Sequence, residues 1–189
     1  MASGSSRRLR LGIDLDGVVA DFNAGWIARY NDEFGADLAP EHVDVWNAPA
    51  TLTHFTKMGE FWRWARTSGG GASIFRVLEP YDGALDALHR LADAHHIVIV
   101  TTKPSFAVHD TYEWIAEHRL PTREVHIVND KTTVDCDVYL EDADHNLDAL
   151  RRARPSAVVC RFVRPWNRSH EGVVDITDWP AFEALVTRL

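Results

Sequence analysis

The chain has 189 residues, 46% of them apolar, and a formal charge of -8. That length suits one domain, or one domain carrying an insertion, with enough apolar residues for a packed core. The acidic balance excludes a broad duplex-binding face, which needs clustered Lys and Arg, and no run approaches the ~18 apolar residues that span a bilayer.

Residues 1–6 are small and polar and are expected as a loose tail. Leu9 to Asp14 reads as the first strand, ending at Asp14-Leu15-Asp16-Gly17. Phe22, Trp26, Ile27 and Tyr30 then recur at helical spacing. From Asn31 to Pro80 the composition shifts to crowded aromatics (Trp46, Phe55, Phe61, Trp62, Trp64) broken by prolines and by Gly69-Gly70-Gly71. The glycine run lacks the preceding strand and following Lys-Ser/Thr of a phosphate loop, so it is read as a flexible loop. A helix is expected over Asp82–Ala94. Ile97–Val100 is a continuous apolar run, as in a strand buried on both faces of a parallel sheet. Further elements are a helix over Phe106–Arg119, strands at Val125–Val128 and Val138–Leu140, a helix over Asn146–Ala153, a strand at Ala157–Phe162, and a closing helix over Pro180–Leu189.

Strands alternating with helices give an α/β fold with a doubly wound parallel sheet. The expected division is a core of residues 1–17 and 81–189 with a small, mostly helical cap, 18–80, inserted after the first strand. Cys136 and Cys160 lie apart, in apolar runs, and are expected as buried free thiols in a reducing cytoplasm.

Ligands of such sheets sit beyond the carboxyl ends of the strands, and the polar residues there form a set. Asp14 and Asp16 project to the same side because strand side chains alternate. At a few ångströms their repulsion is about 4 kcal/mol at a dielectric of about 20, which a divalent cation or a shared proton would offset. Thr101, Thr102 and Lys103 end the second strand, Asn129, Asp130 and Lys131 follow the third, and Glu141-Asp142 end the fourth. Two acid pairs, a hydroxyl and an ammonium in one crevice describe a phosphoryl-transfer site without a P-loop.

The order Asp-x-Asp-Gly, Thr, Lys, acidic pair resembles the haloacid dehalogenase (HAD) superfamily of phosphohydrolases. The chain is most similar to the 5'(3')-deoxyribonucleotidase family and its bacterial relatives. The likeness runs through Asp14–Phe22, Leu78-Glu79-Pro80 with Gly83, Thr101-Thr102-Lys103-Pro104, Asp130-Lys131-Thr132, Glu141-Asp142 and Arg164-Pro165-Trp166-Asn167-Arg168. It spans nearly the whole chain, more loosely over residues 31–75. The resemblance implies a phosphomonoesterase of the HAD-like Rossmannoid fold. Asp14 is then the nucleophile, forming an aspartyl-phosphate, and Asp16 the acid and base. Asp14, the backbone carbonyl of Asp16, and Asp142 would hold Mg²⁺, with Glu141 holding a metal-bound water behind them. Thr101 would bind a phosphoryl oxygen and Lys131 neutralise charge on nucleophile and phosphate. Phe22 and Trp46 would contact the substrate's base.

Two departures bear on these roles. Glu141 stands where the deoxyribonucleotidases carry an aspartate. Thr-Thr-Lys-Pro replaces the Thr-Ser-Pro of the animal enzymes; aligning on Pro104 makes Thr102 the phosphate ligand, and aligning on the end of the apolar run makes it Thr101, the preferred choice. Lys103 then adds charge near the phosphate or points to solvent. The expected partner is a small phosphomonoester, first a nucleoside monophosphate and otherwise a sugar phosphate or phosphorylated biosynthetic intermediate. Neither duplex nucleic acid nor membrane is expected, and a homodimer is left open. A signalling receiver domain and a catalytically silent nucleotide binder are the competing classes. The receiver lacks both a cap and the Asp16 acid/base, and the silent binder needs a lost catalytic residue, which the chain does not show.

Overall fold

The computed structural model describes residues 7–67 and 71–189. The expected tail and all but Gly71 of the glycine loop lie outside the described residues. Six strands form one parallel sheet: β1 (Arg10–Ile13), β2 (His96–Thr101), β3 (Thr122–Ile127), β4 (Val138–Glu141), β5 (Val158–Phe162) and β6 (Val174–Ile176). Their order is β3-β2-β1-β4-β5-β6. Chain order reverses beside β1, which pairs with β2 on one side and β4 on the other. A crevice opens at that point in doubly wound sheets, and it lies where Asp14 and Glu141-Asp142 end their strands.

Alternation along the strands builds two cores, one on each face. Ile97 and Ile99 of β2, with Leu11, Ile13, Val138, Leu140 and Cys160, pack into the larger cluster. Val98, Val100, Tyr139 and Val159 pack into the smaller one with Leu147 and Leu150. Both cysteines are buried free thiols. The apolar run of β2 is therefore apolar because both its faces are covered.

Two strands depart most from the sequence expectation, for one reason. β3 starts at Thr122, three residues earlier than its apolar residues suggest, and β6 was not expected at all. Both are edge strands, partly exposed, and so carry polar residues that hide the strand pattern. β6 is fixed to β5 by a bidentate pair, in which Arg161 Nε and Nη2 donate to Asp175 at 2.8 and 2.7 Å.

After β1 the chain turns through Gly17 into α1 (Phe22–Phe34), capped by Asp21, whose carboxylate accepts from the Ala24 amide at 2.9 Å. The cap segment continues through α2 (Ala48–Leu52) and α3 (Met58–Ala65). It returns beside its point of departure: Ala20 and Pro80 form an antiparallel bridge, and the Asp21 amide donates to Glu79 O at 2.8 Å. Phe61 and Ala65 of α3 are fully buried, and the Phe61 ring packs edge-on against Trp26 and Phe22. The remaining helices, α4 (Ala84–Ala94), α5 (Val108–Glu117), α6 (Asp144–Ala153) and α7 (Trp179–Val186), cover the sheet. No helix among the described residues is long and apolar enough to cross a membrane.

Candidate active site

Asp14 follows β1 directly, and its side chain is buried. Lys131 reaches it from the turn after β3, Nζ lying 2.9 Å from Asp14 Oδ1 and 2.5 Å from Glu141 Oε2. That turn is built by Asp130, whose carboxylate accepts from the Thr132 amide at 3.0 Å and hydroxyl at 2.6 Å, so the exposed acid serves to aim the buried base. Burial works against the Lys131 charge, yet Asp14 and Glu141 together hold its ammonium above the ordinary lysine range.

Glu141, expected to hold a metal-bound water, is hydrogen-bonded within the protein through both oxygens. Oε2 accepts from Lys131, while Oε1 accepts from the amides of Asp142 and Ala143 at 3.2 and 3.0 Å. Both oxygens are committed, and the group orients Lys131. Burial first, and then the nearby Asp14, push its carboxyl above the ordinary carboxylate range, against the pull of Lys131. Asp142 is raised too, by burial and then by Glu141 and Asp14.

Asp142 is held by the loop Arg164–Arg168 that follows β5. Trp166 Nε1 donates to Asp142 Oδ2 at 2.8 Å, and Asn167 Nδ2 donates to the Asp142 carbonyl at 2.8 Å and to Phe162 O at 2.9 Å. Arg164, its guanidinium 3.9 Å from the Tyr81 ring centroid, donates from Nε to the Gly17 carbonyl at 2.7 Å. The dense polar-aromatic run Arg164–Arg168 was the signal for these contacts. Gly17 has φ +75°, and a Cβ there would stand 2.2 Å from Asp142 Oδ2. Glycine is thus required twice over, for the turn and for the approach of the two acid-bearing segments.

The remaining Asp142 oxygen, Oδ1, is buried with no hydrogen-bond partner. Carboxylate oxygens of Asp14, Glu141 and Asp142 lie within 4.8 Å of one another. An orphaned buried carboxylate oxygen beside a second acid suits a hard cation with oxygen ligands. Asp14 and Asp142 line the open cavity and Glu141 does not, so those two are the side chains that would face it.

Asp16, Thr102, Lys131, Asp142, Asn146 and Trp166 border a cavity with about 720 Å³ of empty space, open to solvent, with Asp14 at its floor. Phe22, Trp46, Trp62, Val43, Val45, Pro49 and Met58 form its apolar wall. Phe22 and Trp46, expected to contact the substrate, thus both line the cavity, and Trp62 joins them. The two threonines exchange places relative to the sequence preference. Thr101 belongs to β2 and its hydroxyl is buried inside the fold without a partner. Thr102, the next residue, turns to the cavity, its hydroxyl 2.7 Å from the Val128 carbonyl to which it donates. Lys103 neither points to solvent nor borders this cavity; its Nζ lies 2.5 Å from Asp16 Oδ1, with the side chain 2% exposed. Burial raises the Asp16 carboxyl and Lys103 opposes that rise.

Residues 7–189 match the family described as 5' nucleotidase, deoxy (pyrimidine), cytosolic type C. The chain belongs to that family. It is a phosphomonoester hydrolase of the HAD superfamily, as the ordered motifs implied. The human 5'(3')-deoxyribonucleotidase, cytosolic type, is 29% identical over 154 residues, covering 74% of this chain and 73% of its own. The Bacillus subtilis 5'(3')-deoxyribonucleotidase is 20% identical over 177 residues, covering 92% and 95%. Among solved structures, the L-2-haloacid dehalogenase of Xanthobacter autotrophicus superposes with a TM-score of 0.64 at 13% identity, covering 96% of this chain and 99% of that one. The magnesium-bound protein YfnB of Bacillus subtilis does so at 0.64 and 14%, covering 95% and 99%. These likenesses show the fold.

Proposed function

We propose that the protein hydrolyses nucleoside monophosphates, 5'(3')-deoxyribonucleotides first among them, through an aspartyl-phosphate on Asp14. The observation that carries this reading is the pairing of a buried Asp14–Lys131–Glu141–Asp142 cluster with an aromatic wall directly above it. The human and Bacillus subtilis relatives are named for that substrate class.

An Asp14 oxygen attacks phosphorus while the ester P–O bond opposite breaks. Asp16, also on the cavity wall, gives its proton to the leaving alkoxide. In the second half, Asp16 takes a proton from water, the water oxygen bonds to phosphorus, and the bond to Asp14 breaks to release phosphate. Lys131 offsets charge on Asp14 and on the phosphoryl oxygens, which a preorganised ammonium does without reorganising. Thr102, on the cavity wall, would hydrogen-bond a phosphoryl oxygen by turning its hydroxyl proton away from the Val128 carbonyl, whereas Thr101 does not border the cavity. Asp14 and Asp142, with the Asp16 carbonyl, would hold Mg²⁺, which when bound supplies Lewis-acid neutralisation of the phosphoryl charge. Phe22, Trp46 and Trp62 offer ring faces on which a base stacks, a contact of roughly 1–3 kcal/mol per base.

The test is phosphate release from 5'- and 3'-nucleoside monophosphates and sugar phosphates, with Mg²⁺ or EDTA, in wild type and Asp14→Asn. Metal-dependent turnover of nucleotides, lost in Asp14→Asn, is the expected result. Turnover confined to sugar phosphates would keep the chemistry and overturn the substrate.

A further inference from the structure

We infer that Lys103 is a positioning residue that sets the Asp16 carboxylate from behind and ties its setting to the cap. The inference rests on the reading of Asp16 as acid and base, and adds to it a route from the substrate-facing wall to the proton donor.

Lys103 borders a small void behind Asp16, among Leu15, Phe75, Leu78 and Trp114, outside the main cavity. Its ammonium is bound on two sides. One is Asp16 Oδ1 at 2.5 Å; the other is the face of Phe75, a cap residue, whose ring centroid lies 4.4 Å away. A buried ammonium between a carboxylate and a ring face is held firmly, because moving it away from either loses an attraction strengthened by exclusion of water.

Phe75 carries the connection onward. It stacks on Phe22 with centroids 5.5 Å apart at 23°, and on Trp62 at 6.0 Å and 18°. Both of those rings line the main cavity. A base that presses on the wall therefore presses on Phe75, and through Phe75 on the ammonium that orients Asp16. No part of this chain needs Lys103 to touch substrate, and its place behind Asp16 keeps it from doing so.

Positioning of a proton donor has a signature that loss of structure does not share. An alkoxide leaving from a nucleotide needs a proton; p-nitrophenolate leaves without one. General-acid assistance is worth about 10²–10⁴-fold, so partial misplacement of Asp16 should forfeit roughly 10–100-fold on the nucleotide alone. The quantity to read is kcat/KM, which covers steps up to formation of the aspartyl-phosphate and leaves out the later attack of water, where Asp16 acts on both substrates alike.

The experiment compares wild type, Lys103→Met and Phe75→Leu on the best nucleoside monophosphate and on p-nitrophenyl phosphate, with circular dichroism to confirm folding. Expected is a fall of roughly 10–100-fold in kcat/KM on the nucleotide for Lys103→Met, a smaller fall for Phe75→Leu, and little change in kcat/KM on p-nitrophenyl phosphate for either. An equal fall on both substrates, in folded Lys103→Met, would overturn the positioning role while leaving the phosphatase reading intact. Should Lys103→Met not fold, Lys103→Gln, which also leaves the stacking rings of the wall in place, decides by the same ratio. Wild-type protein that turns over neither substrate would remove the phosphatase reading and this inference with it.

Discussion

The floor and the wall of the cavity are built on opposite plans. On the floor, Asp14, Lys131, Glu141 and Asp142 are all buried, and each is locked to a charged, amide or indole partner. The wall is made of rings and aliphatic side chains from the cap, and Trp46 among them is 57% exposed and meets the His145 ring edge-on. A floor with such fixed geometry specifies a reaction, because preorganised charge is what stabilises a phosphoryl transition state. A wall with few polar anchors specifies a class of ligand by shape and stacking. Chemistry and substrate choice are thus carried by separate parts of the chain.

Changes to the floor should cost the reaction. Asp14→Asn is expected to lower phosphate release by on the order of 10⁴-fold or more, since it removes the nucleophile. It should also raise the Tm of metal-free protein, because it takes one negative charge from a cluster whose described cation is Lys131. A lower Tm in EDTA would show the cluster to be held together in some other way. Lys131→Met strikes stability as well as rate: it strands Asp14 and Glu141 without their buried partner. Breaking such a pair costs about 3–5 kcal/mol, to be read from denaturant unfolding.

Gly17→Ala tests the join between the two acid-bearing segments. Its Cβ has no room beside Asp142, so the Mg²⁺ concentration for half-maximal activity should rise about tenfold or more, the scale seen when a ligand's support is disturbed. An unchanged metal dependence would mean that Asp142 is free to move aside. On the wall, Trp46→Ala should leave Tm unchanged, given its exposure. It should weaken kcat/KM for nucleotides by about 1–3 kcal/mol and spare p-nitrophenyl phosphate; a uniform loss would place Trp46 in the cap's structure rather than in its stacking surface.

The smallest expected effect lies far from both regions. Arg10, and then His126, hold the Glu124 carboxyl down at about 2, from an ordinary 4.5. Because the folded value is the lower one, its stabilisation is present above pH 4.5 and is lost as pH falls toward 2. The pair is partly exposed, so the effect is modest. Glu124→Gln should flatten the fall in Tm over that acid window and change little at neutral pH, with the active site untouched.

The fold was legible where burial writes on both faces of a strand. β1, β2 and β4 lie inside the sheet, and their apolar residues mark them. β3 and β6 lie at its edges, where half the side chains meet water and the pattern fades. The site followed the same division. Asp14, Lys131 and Asp142 sit at strand ends or in a tight turn, where position in sequence nearly fixes position in space. Trp166 and Asn167 act from a loop, and nothing local says which carboxylate they will meet.

By itself, then, the sequence determined the parallel α/β order, the paired acids with their glycine, the lysine that serves them, and an aromatic insertion above. Spacing along a strand and hydrophobic period are local properties, and they survive without knowledge of neighbours. Tertiary structure alone decided that Thr102 rather than Thr101 meets the cavity, that Glu141 is committed to Lys131, and that Lys103 lies between Asp16 and Phe75. Each of those choices depends on which side chain finds a partner once water is excluded, and partners brought together from residues as distant as Asp16, Phe75 and Lys103 exist only in the folded chain.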